Sequence, residues 1–554
     1  MPDRPPGGQP QQDTRHLRPA PNGATHLTPP CRRRLIACVA ADLTEGTDVT
    51  ETLTVLGPAH VRRWFEQGLR SLLAVRRQVD VLNVFPVPDG DTGTNLVLTL
   101  AGAARAASTL GADAGLPELT AAAARGALVG ARGNSGVILS QAMRGLAGAV
   151  AGHDVLDGPL LAAALRAAAD EARRAVARPV EGTVLTVADA AAEAALGASD
   201  GTVAEVATSA ARAAAVALAD TRGQLDVLTE SDVVDAGAAG YVILLDALAA
   251  VADDDAPDTP RARQALARLW STPRPVPVGP VCGLGAGVVA RGGQAAFEVM
   301  YVLHATAPEA AALRERLGSV GESLAVVGGS DGHERGLWQV HVHTDDPAAV
   351  LADPAVTEQV CVRSLTAPPT GVVACTRLPG LLAPLAATGA VLVLHPDAAG
   401  LERAIVDAGT PDVLLLPCDE TSAALAREVG SLLPDAQRVV VAGTREELAV
   451  LTVVADQRPG AGAQERLAVA AEAVSRLRTR SCGLAEAGEV ARELLHRDDE
   501  LLTAVVGLDA APGTPARAAL EATLRSVVAE TAPQADVLLL DGGRPAPDVL
   551  LGAQ

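Results

Sequence analysis

Residues 83–95, NVFPVPDGDTGTN, are the stretch that most constrains how this chain can fold. Two prolines and two glycines in so short a run cannot lie inside a helix or a central strand, so the stretch is predicted to be a loop. Apolar residues at helical spacing precede it over residues 61–82 and follow it over residues 96–107. The loop therefore joins two predicted helices, and it concentrates two carboxylates, two hydroxyls and two side-chain amides at their junction.

The two carboxylates of this loop, Asp89 and Asp91, flank a glycine that allows a sharp turn. Two like charges a few ångström apart are best neutralised by a hard divalent cation such as Mg²⁺. Gly93 and the start of the next helix offer backbone N–H groups that suit phosphate oxygens. The pattern predicts a metal–nucleotide site, although Asp-Gly-Asp is also common in ordinary turns. An EF-hand is excluded, because no glutamate closes the loop at its twelfth position.

Composition excludes several classes of protein. The sequence contains no lysine, so a Walker P-loop and the ATP-binding lysine of protein kinases are both excluded. A net charge of −21 and 1% aromatic residues argue against non-specific nucleic-acid binding. The seven cysteines form no C-x-x-C pair, and no apolar run is long enough to span a bilayer. A cytoplasmic protein is therefore expected.

Composition and periodicity predict a multidomain protein with an all-α N-terminal part, a small α+β domain and an α/β C-terminal domain. An extension rich in Pro, Arg and Gln is expected to be disordered. Ala/Leu-rich helical spacing predicts a bundle or barrel, and alternating and then near-continuous Val/Leu runs predict the two sheet regions. The predicted segments are the disordered extension (1–52), the helical domain (53–253), a linker with a short helix at 261–270 (254–277), the α+β domain (278–368) and the α/β domain (369–554).

Polar runs interrupt the helical domain at predicted helix starts, as expected for a site built at one end of a helical scaffold. In GARGNSGVILSQ at residues 130–141, Ser135 is predicted to cap a helix whose N–H groups can hold phosphate. Thr183 and Asp235 are predicted to open two further helices in the same way.

A second candidate site lies in the α+β domain. His341 and His343 are two residues apart on a predicted strand, so their side chains point to the same face. Two imidazoles with a nearby carboxylate could bind Zn²⁺. A pair of core or solvated histidines would give the same pattern.

Residues 83–95 resemble the signature of the nucleotide-binding L domain of dihydroxyacetone kinases (DhaL), and they are closer still to the fatty acid kinase A subunit. Segments 130–141, 179–186 and 234–240 agree with that family in the same order. The resemblance implies an eight-helix antiparallel barrel whose loops surround ATP and two Mg²⁺ ions. It implies a catalytic, Mg²⁺-binding role for Asp89 and Asp91, and Asn83 stands where dihydroxyacetone kinases have a third aspartate. The implied nucleotide-binding residues are Asn83, Thr92, Gly93, Thr94, Asn95, Asn134, Ser135, Gly136, Thr183 and Asp235.

Residues 321–324 and 341–347 resemble the fatty acid kinase middle domain, where a cysteine completes a structural zinc site. Glu298 occupies the matching position here, so the implied Zn²⁺ ligands are Glu298, His341 and His343.

The resemblance also implies a function. It indicates an ATP-dependent kinase subunit that phosphorylates the carboxylate of a fatty acid presented by a separate lipid-binding, DegV-like B subunit. The C-terminal region would dock that partner, and the family suggests a homodimer. A dihydroxyacetone-type kinase and a non-catalytic nucleotide- or metal-binding scaffold are the alternatives.

Overall fold

The structure is a computed structural model. It describes residues 53–86, 88, 90–176, 178–254, 295–329, 335–432, 438–457, 460–543 and 549–554. Asp89, the predicted disordered extension and the predicted short helix at 261–270 lie outside these residues, as does the predicted linker beyond residue 254. Within the described residues the predicted fold class is confirmed, because a helical N-terminal region is followed by sheet-containing regions.

The described N-terminal region is a closed ring of eight long helices with one short helix, α8. Each long helix packs against the next long one along the chain, and α9 returns to pack against α1, so the ring is a barrel. The helices are α1 (Pro58–Leu82), α2 (Thr92–Ser108), α3 (Leu116–Gly130), α4 (Gly133–Ala149), α5 (Gly158–Ala175), α6 (Val184–Gly197), α7 (Val203–Thr221), α8 (Asp226–Ser231) and α9 (Ala236–Ala252).

Small apolar side chains build the core of this barrel. Leu72, Ala123 and Leu161 are completely buried, together with many other alanines, leucines and valines. Because alanine adds little bulk, helix axes can approach closely without large aromatic side chains, and each buried leucine contributes about 1.5–3 kcal/mol. None of the described helices combines the length and apolarity needed to cross a bilayer.

The eight strands that follow form one continuous sheet in the order β2-β3-β1-β4-β6-β5-β7-β8. Strands β1 to β4 pair antiparallel among themselves, whereas β5 to β8 pair in parallel. Antiparallel pairing of β4 with β6 joins the two halves, so the predicted boundary at 368/369 falls within this sheet. The strands are β1 (Phe297–Ala305), β2 (Glu322–Gly329), β3 (Gly336–Thr344), β4 (Thr357–Ser364), β5 (Val372–Thr376), β6 (Val391–Leu394), β7 (Asp412–Leu416) and β8 (Arg438–Val441).

A second sheet, of four strands, has its own apolar core nearer the C-terminus. Its strands are β9 (Arg478–Cys482), β10 (Leu501–Val506), β11 (Asp536–Asp541) and β12 (Val549–Ala553), in the order β11-β10-β12-β9. The helices around the two sheets are α10 (Ala307–Leu317), α11 (Leu382–Ala386), α12 (Ala398–Asp407), α13 (Glu420–Leu432), α14 (Glu447–Asp456), α15 (Ala463–Arg476), α16 (Ala487–Leu494) and α17 (Pro515–Thr531).

The first sheet lies against the barrel. Strand β2 packs against α4, and β3 packs against α3. The fully buried Arg403 of α12 donates from Nη2 to the carbonyl oxygen of Ala131, between α3 and α4, at 2.8 Å. This contact brings the sheet next to the start of α4, where a phosphate-binding turn is predicted.

Candidate functional site

The starts of four barrel helices meet around one small cavity. Leu96 of α2, Ser135 of α4, Val184 of α6 and Gly237 of α9 all line it. Each of these residues lies in or next to one of the four sequence segments that carry the family resemblance. The side chains that line the cavity are mostly apolar, whereas the helix starts beside it carry the positive end of the helix dipole, which favours an anion next to them.

Asp91 stands immediately before α2 and is tied to the start of α4 through Asn95. The Nδ2 atom of Asn95 donates to Asp91 Oδ1 at 2.7 Å. Gly133, the first residue of α4, has φ +51°, and a Cβ there would lie 2.5 Å from Asn95 Nδ2. A glycine is therefore required where α4 begins, and its close approach brings Asp91 beside the turn that contains Asn134 and Ser135.

Ser135 does not cap its helix, which corrects the prediction. The N-cap of α4 is Arg132, because the left-handed Gly133 starts the helix two residues before Ser135. Asn134 and Ser135 therefore belong to the first turn, where backbone N–H groups have no acceptor within the helix. The N–H of Gly136 makes the first of these bonds, to Arg132 O at 2.9 Å, so it is already engaged.

Asp80, which the sequence did not single out, holds the loop against α1. Its two carboxylate oxygens accept from the backbone N–H and the hydroxyl of Thr94 at 2.8 and 3.0 Å. Both donors of Thr94 are therefore engaged by Asp80. Burial raises the pKa of Asp80, and the hydrogen bonds from Thr94 partly offset that rise. A Cβ on Gly93 would lie 2.3 Å from Arg76 O, so this first turn of α2 packs tightly on α1.

Thr183 and Asp235 cap α6 and α9, as the sequence predicted. The Thr183 hydroxyl accepts from Leu185 N at 3.3 Å, and Asp235 accepts from Ala238 N at 2.7 Å. Burial raises the pKa of Asp235 to about 6, although backbone N–H groups of Ala238 and Val184 lower it. The hydrogen bond from the backbone N–H of Val184 links Asp235 to the start of α6, so the starts of α6 and α9 lie side by side.

The two remaining predicted nucleotide-site residues are buried at the edges of the loop. Asn83 follows α1 directly, and its backbone N–H donates to Asp80 O at 3.2 Å. Thr92 is the first residue of α2. Their roles toward a nucleotide stay predictions.

The three predicted zinc ligands converge on neighbouring strands. Glu298 of β1 lies opposite His343 of β3, and one ligand atom from each of Glu298, His341 and His343 lies within 4.8 Å of the others. Glu298 Oε1 is 2.8 Å from His341 Nε2 and 3.8 Å from His343 Nε2. All three residues are buried. Two imidazole nitrogens and a carboxylate oxygen form a donor set that suits Zn²⁺.

Electrostatics keep Glu298 and His341 in the forms that a metal ion needs. Burial alone would raise the pKa of Glu298, but Arg363 and hydrogen bonds with the two histidines hold it well below its usual range. Burial lowers the pKa of His341, which favours the neutral imidazole that binds metals. His341 Nδ1 lies 3.1 Å from Ser323 O, a contact that directs Nε2 toward Glu298.

Arg363 of β4 links this group to the barrel. Its Nη2 donates to Asp91 Oδ2 at 2.6 Å, and its Nε donates to Glu298 Oε2. Neither the acidic loop motif nor the H-x-H pattern pointed to this residue. The two candidate sites are therefore neighbours, connected through one guanidinium.

Two more arginines lie buried beside this junction. The pKa of Arg132 is lowered to about 9, mainly by burial and also by the nearby cation Arg403, while Asp407 opposes the fall. The Nε atom of Arg132 is 3.7 Å from Asp407 Oδ1. Asp407 thus partly balances the charge of Arg132, as Asp91 and Glu298 balance that of Arg363.

Comparisons with known proteins agree with the sequence motifs. Residues 86–250 match the family described as "DAK2 domain", and residues 294–357 match the family of middle domains like that of the fatty acid kinase A subunit. Protein YloV of Bacillus subtilis is 47% identical over 121 residues, which is 22% of this chain and 22% of that protein. An uncharacterized protein of Staphylococcus saprophyticus is 37% identical over 180 residues, 32% of each chain. The chain thus aligns with a third or less of the length of these relatives.

A crystal structure of the dihydroxyacetone kinase of C. freundii aligns with 38% of this chain and 37% of that chain, at 20% identity and a TM-score of 0.27. That similarity is too low to support any conclusion about this protein. A match to the DAK2 domain is thus followed by a match to the middle domain of the fatty acid kinase type, and this confirms the predicted resemblance to the fatty acid kinase A subunits and their DhaL-like relatives.

Proposed function

We propose that this protein is an ATP-dependent kinase subunit that phosphorylates the carboxylate of a fatty acid carried by a separate lipid-binding protein. An oxygen of the carboxylate attacks the γ-phosphorus of ATP, the bond from that phosphorus to the β–γ bridging oxygen breaks, and ADP leaves. The products are ADP and an acyl phosphate. The observation that carries this proposal is the convergence of four helix starts on one cavity, with Asp91 beside them.

Within this proposal the helix starts bind the triphosphate. Backbone N–H groups in the first turns of α2 and α4 donate to phosphate oxygens, and the first turns of α6 and α9 complete the enclosure. Asp89 and Asp91 hold Mg²⁺, which neutralises charge on the phosphates when it is bound. Thr94 serves the site indirectly, because Asp80 uses both of its donors to fix the loop on α1.

A separate acyl carrier is supported by the barrel interior. The cavity lined by Trp64, Phe65, Met143 and Tyr241, among other residues, measures about 40 Å³. A space of that size holds a few water molecules. This cavity is too small for an acyl chain, which agrees with a fatty acid carried by a partner. We assign that role to a DegV-like B subunit docking on the C-terminal region of a homodimeric, cytoplasmic enzyme.

The test is phosphoryl transfer with the full chain. The protein is incubated with γ-labelled ATP, Mg²⁺ and lipid-binding proteins loaded with fatty acid, and labelled acyl phosphate is then measured. We expect acyl phosphate with the wild type, none with Asp91→Asn, and wild-type yield with Asp154→Asn, which changes an exposed loop carboxylate.

Two other outcomes would contradict the proposal. In a parallel incubation that also contains dihydroxyacetone, label transferred to that compound instead of the fatty acid would identify a small-hydroxyketone kinase. Nucleotide binding without transfer to any loaded lipid-binding protein would identify a scaffold.

A further inference from the structure

One side chain of the middle domain reaches into the predicted nucleotide site. Arg363 lies near the end of β4, and its guanidinium donates to carboxylates on both sides. Nη2 is 2.6 Å from Asp91 Oδ2 in the barrel, and Nε donates to Glu298 Oε2 in the sheet. The Arg363 side chain is 22% exposed, Asp91 is 20% exposed and Glu298 is 7% exposed. The guanidinium is therefore anchored on the buried side and meets the barrel on the more open side.

We propose that Arg363 is a phosphate-contacting residue of the nucleotide site, supplied by the middle domain and positioned by Glu298. This inference rests on the proposed function. With Mg²⁺ and ATP bound, Asp91 would serve as a ligand of the cation, and Arg363 would donate to a phosphate oxygen of the nucleotide. The barrel alone would lack this contact.

The chemistry of the chain favours an arginine in this role. The sequence contains no lysine, so arginine is the side chain that can supply a permanent positive charge to a phosphate. The planar guanidinium can donate along two edges at once, and such paired, charge-assisted bonds suit carboxylates and phosphates. Glu298 occupies the Nε side, which leaves the Nη2 side directed at Asp91.

The Glu298 carboxylate is held in place by contacts to both of its oxygens. Its Oε1 lies 2.8 Å from His341 Nε2, while Oε2 accepts from Arg363. A carboxylate can serve the two histidines and Arg363 at the same time because it has two oxygens. The same group that could hold a metal ion therefore also orients the arginine.

A simpler role would be charge compensation, in which Arg363 only neutralises Asp91 while the nucleotide is absent. The two roles predict opposite effects of removing the arginine. A phosphate contact predicts that Mg²⁺–nucleotide binding weakens. A competing cation predicts that binding becomes tighter, because Asp91 is released to the metal.

The experiment measures binding of a non-hydrolysable ATP analogue with Mg²⁺ by calorimetry, using the full chain. We expect Arg363→Gln to weaken binding roughly ten- to a hundredfold, the value of one charge-assisted hydrogen bond. The control Arg525→Gln removes an exposed arginine paired with Glu521 on α17 and should leave binding unchanged. Equal or tighter binding by Arg363→Gln would overturn the inference while the proposed function stands. No binding by the wild type would overturn both.

Two further variants guard against a folding defect. Arg363→Lys keeps one positive charge but cannot contact both carboxylates. Its affinity for the nucleotide analogue should therefore lie between those of the wild type and Arg363→Gln, and an affinity equal to or above that of the wild type would overturn the inference. Glu298→Gln should weaken binding in the wild-type background but add little to Arg363→Gln, because it acts through the arginine. Fully additive losses would refute the positioning role of Glu298. Thermal unfolding without ligand checks that each variant is folded.

Discussion

Gly133→Ala should unfold the start of α4 and detach Asn95 from Asp91. The backbone at Gly133 has φ +51°, a conformation that costs a residue with a Cβ about 1–2 kcal/mol. The added Cβ would also lie 2.5 Å from Asn95 Nδ2, so the asparagine must move. Its 2.7 Å hydrogen bond to the Asp91 carboxylate is then lost, which costs about 1.5–3 kcal/mol. The local free energy of unfolding should fall by about 3 kcal/mol or more.

Hydrogen exchange read out by peptide is the suitable assay, because it reports on α2 and α4 separately from the sheets. A loss of about 3 kcal/mol corresponds to exchange that is roughly a hundredfold faster in the first turns of these helices. Peptides from β10 in the second sheet provide an internal reference in each sample.

Gly148→Ala is the matched control. Gly148 belongs to the same helix and is exposed, and no atom lies within 4 Å of the position that the added Cβ would take. Alanine there should protect α4 by up to about 1 kcal/mol, because it is the better helix former. Unchanged exchange in Gly133→Ala, or equal acceleration in both variants, would refute the reasoning.

Three other outcomes are expected. Zn²⁺ should raise the melting temperature of the wild type and of the control His304→Ala, which changes a half-buried histidine of β1, but not of His341→Ala. A shift retained in His341→Ala would exclude the group of Glu298, His341 and His343 as the binding site. Burial raises the pKa of Asp235 to about 6 from 3.8, so the native state binds this proton more tightly than the unfolded state. The stability that the proton contributes is complete below pH 3.8 and is lost as pH rises through 6. Asp235→Asn should therefore gain up to about 3 kcal/mol relative to wild type between pH 4 and 7 in urea unfolding, and a constant difference would contradict this. Asp80→Ala should speed exchange at the start of α2 about tenfold or more, because it removes both partners of Thr94, and unchanged exchange there would contradict that role.

Much of the barrel could be predicted from local sequence. Proline and glycine mark the loop at 83–95, and alanine and leucine at helical spacing mark the helices on either side. Thr183 and Asp235 were identifiable as caps because a polar side chain directly before an apolar helical run has few other roles. Ser135 was misassigned because the conformation of Gly133 decides where α4 begins, and sequence spacing does not reveal a positive φ.

The link between the two candidate sites could not be predicted. Arg363 and Asp91 are 272 residues apart, and Arg363 belongs to none of the motifs that the sequence singled out. The single sheet was also hidden, since it depends on β4 pairing with β6 across a predicted domain boundary. Such contacts depend on tertiary packing, which local periodicity does not encode.

The central claim is that Asp91 and the adjoining helix starts bind a nucleotide through Mg²⁺. Its most direct test is calorimetric titration of the full chain with a non-hydrolysable ATP analogue, with and without Mg²⁺, for the wild type and Asp91→Asn. We predict Mg²⁺-dependent binding to the wild type that weakens at least about tenfold in the variant. Binding that does not depend on Mg²⁺, or that is equally tight in Asp91→Asn, would contradict the account.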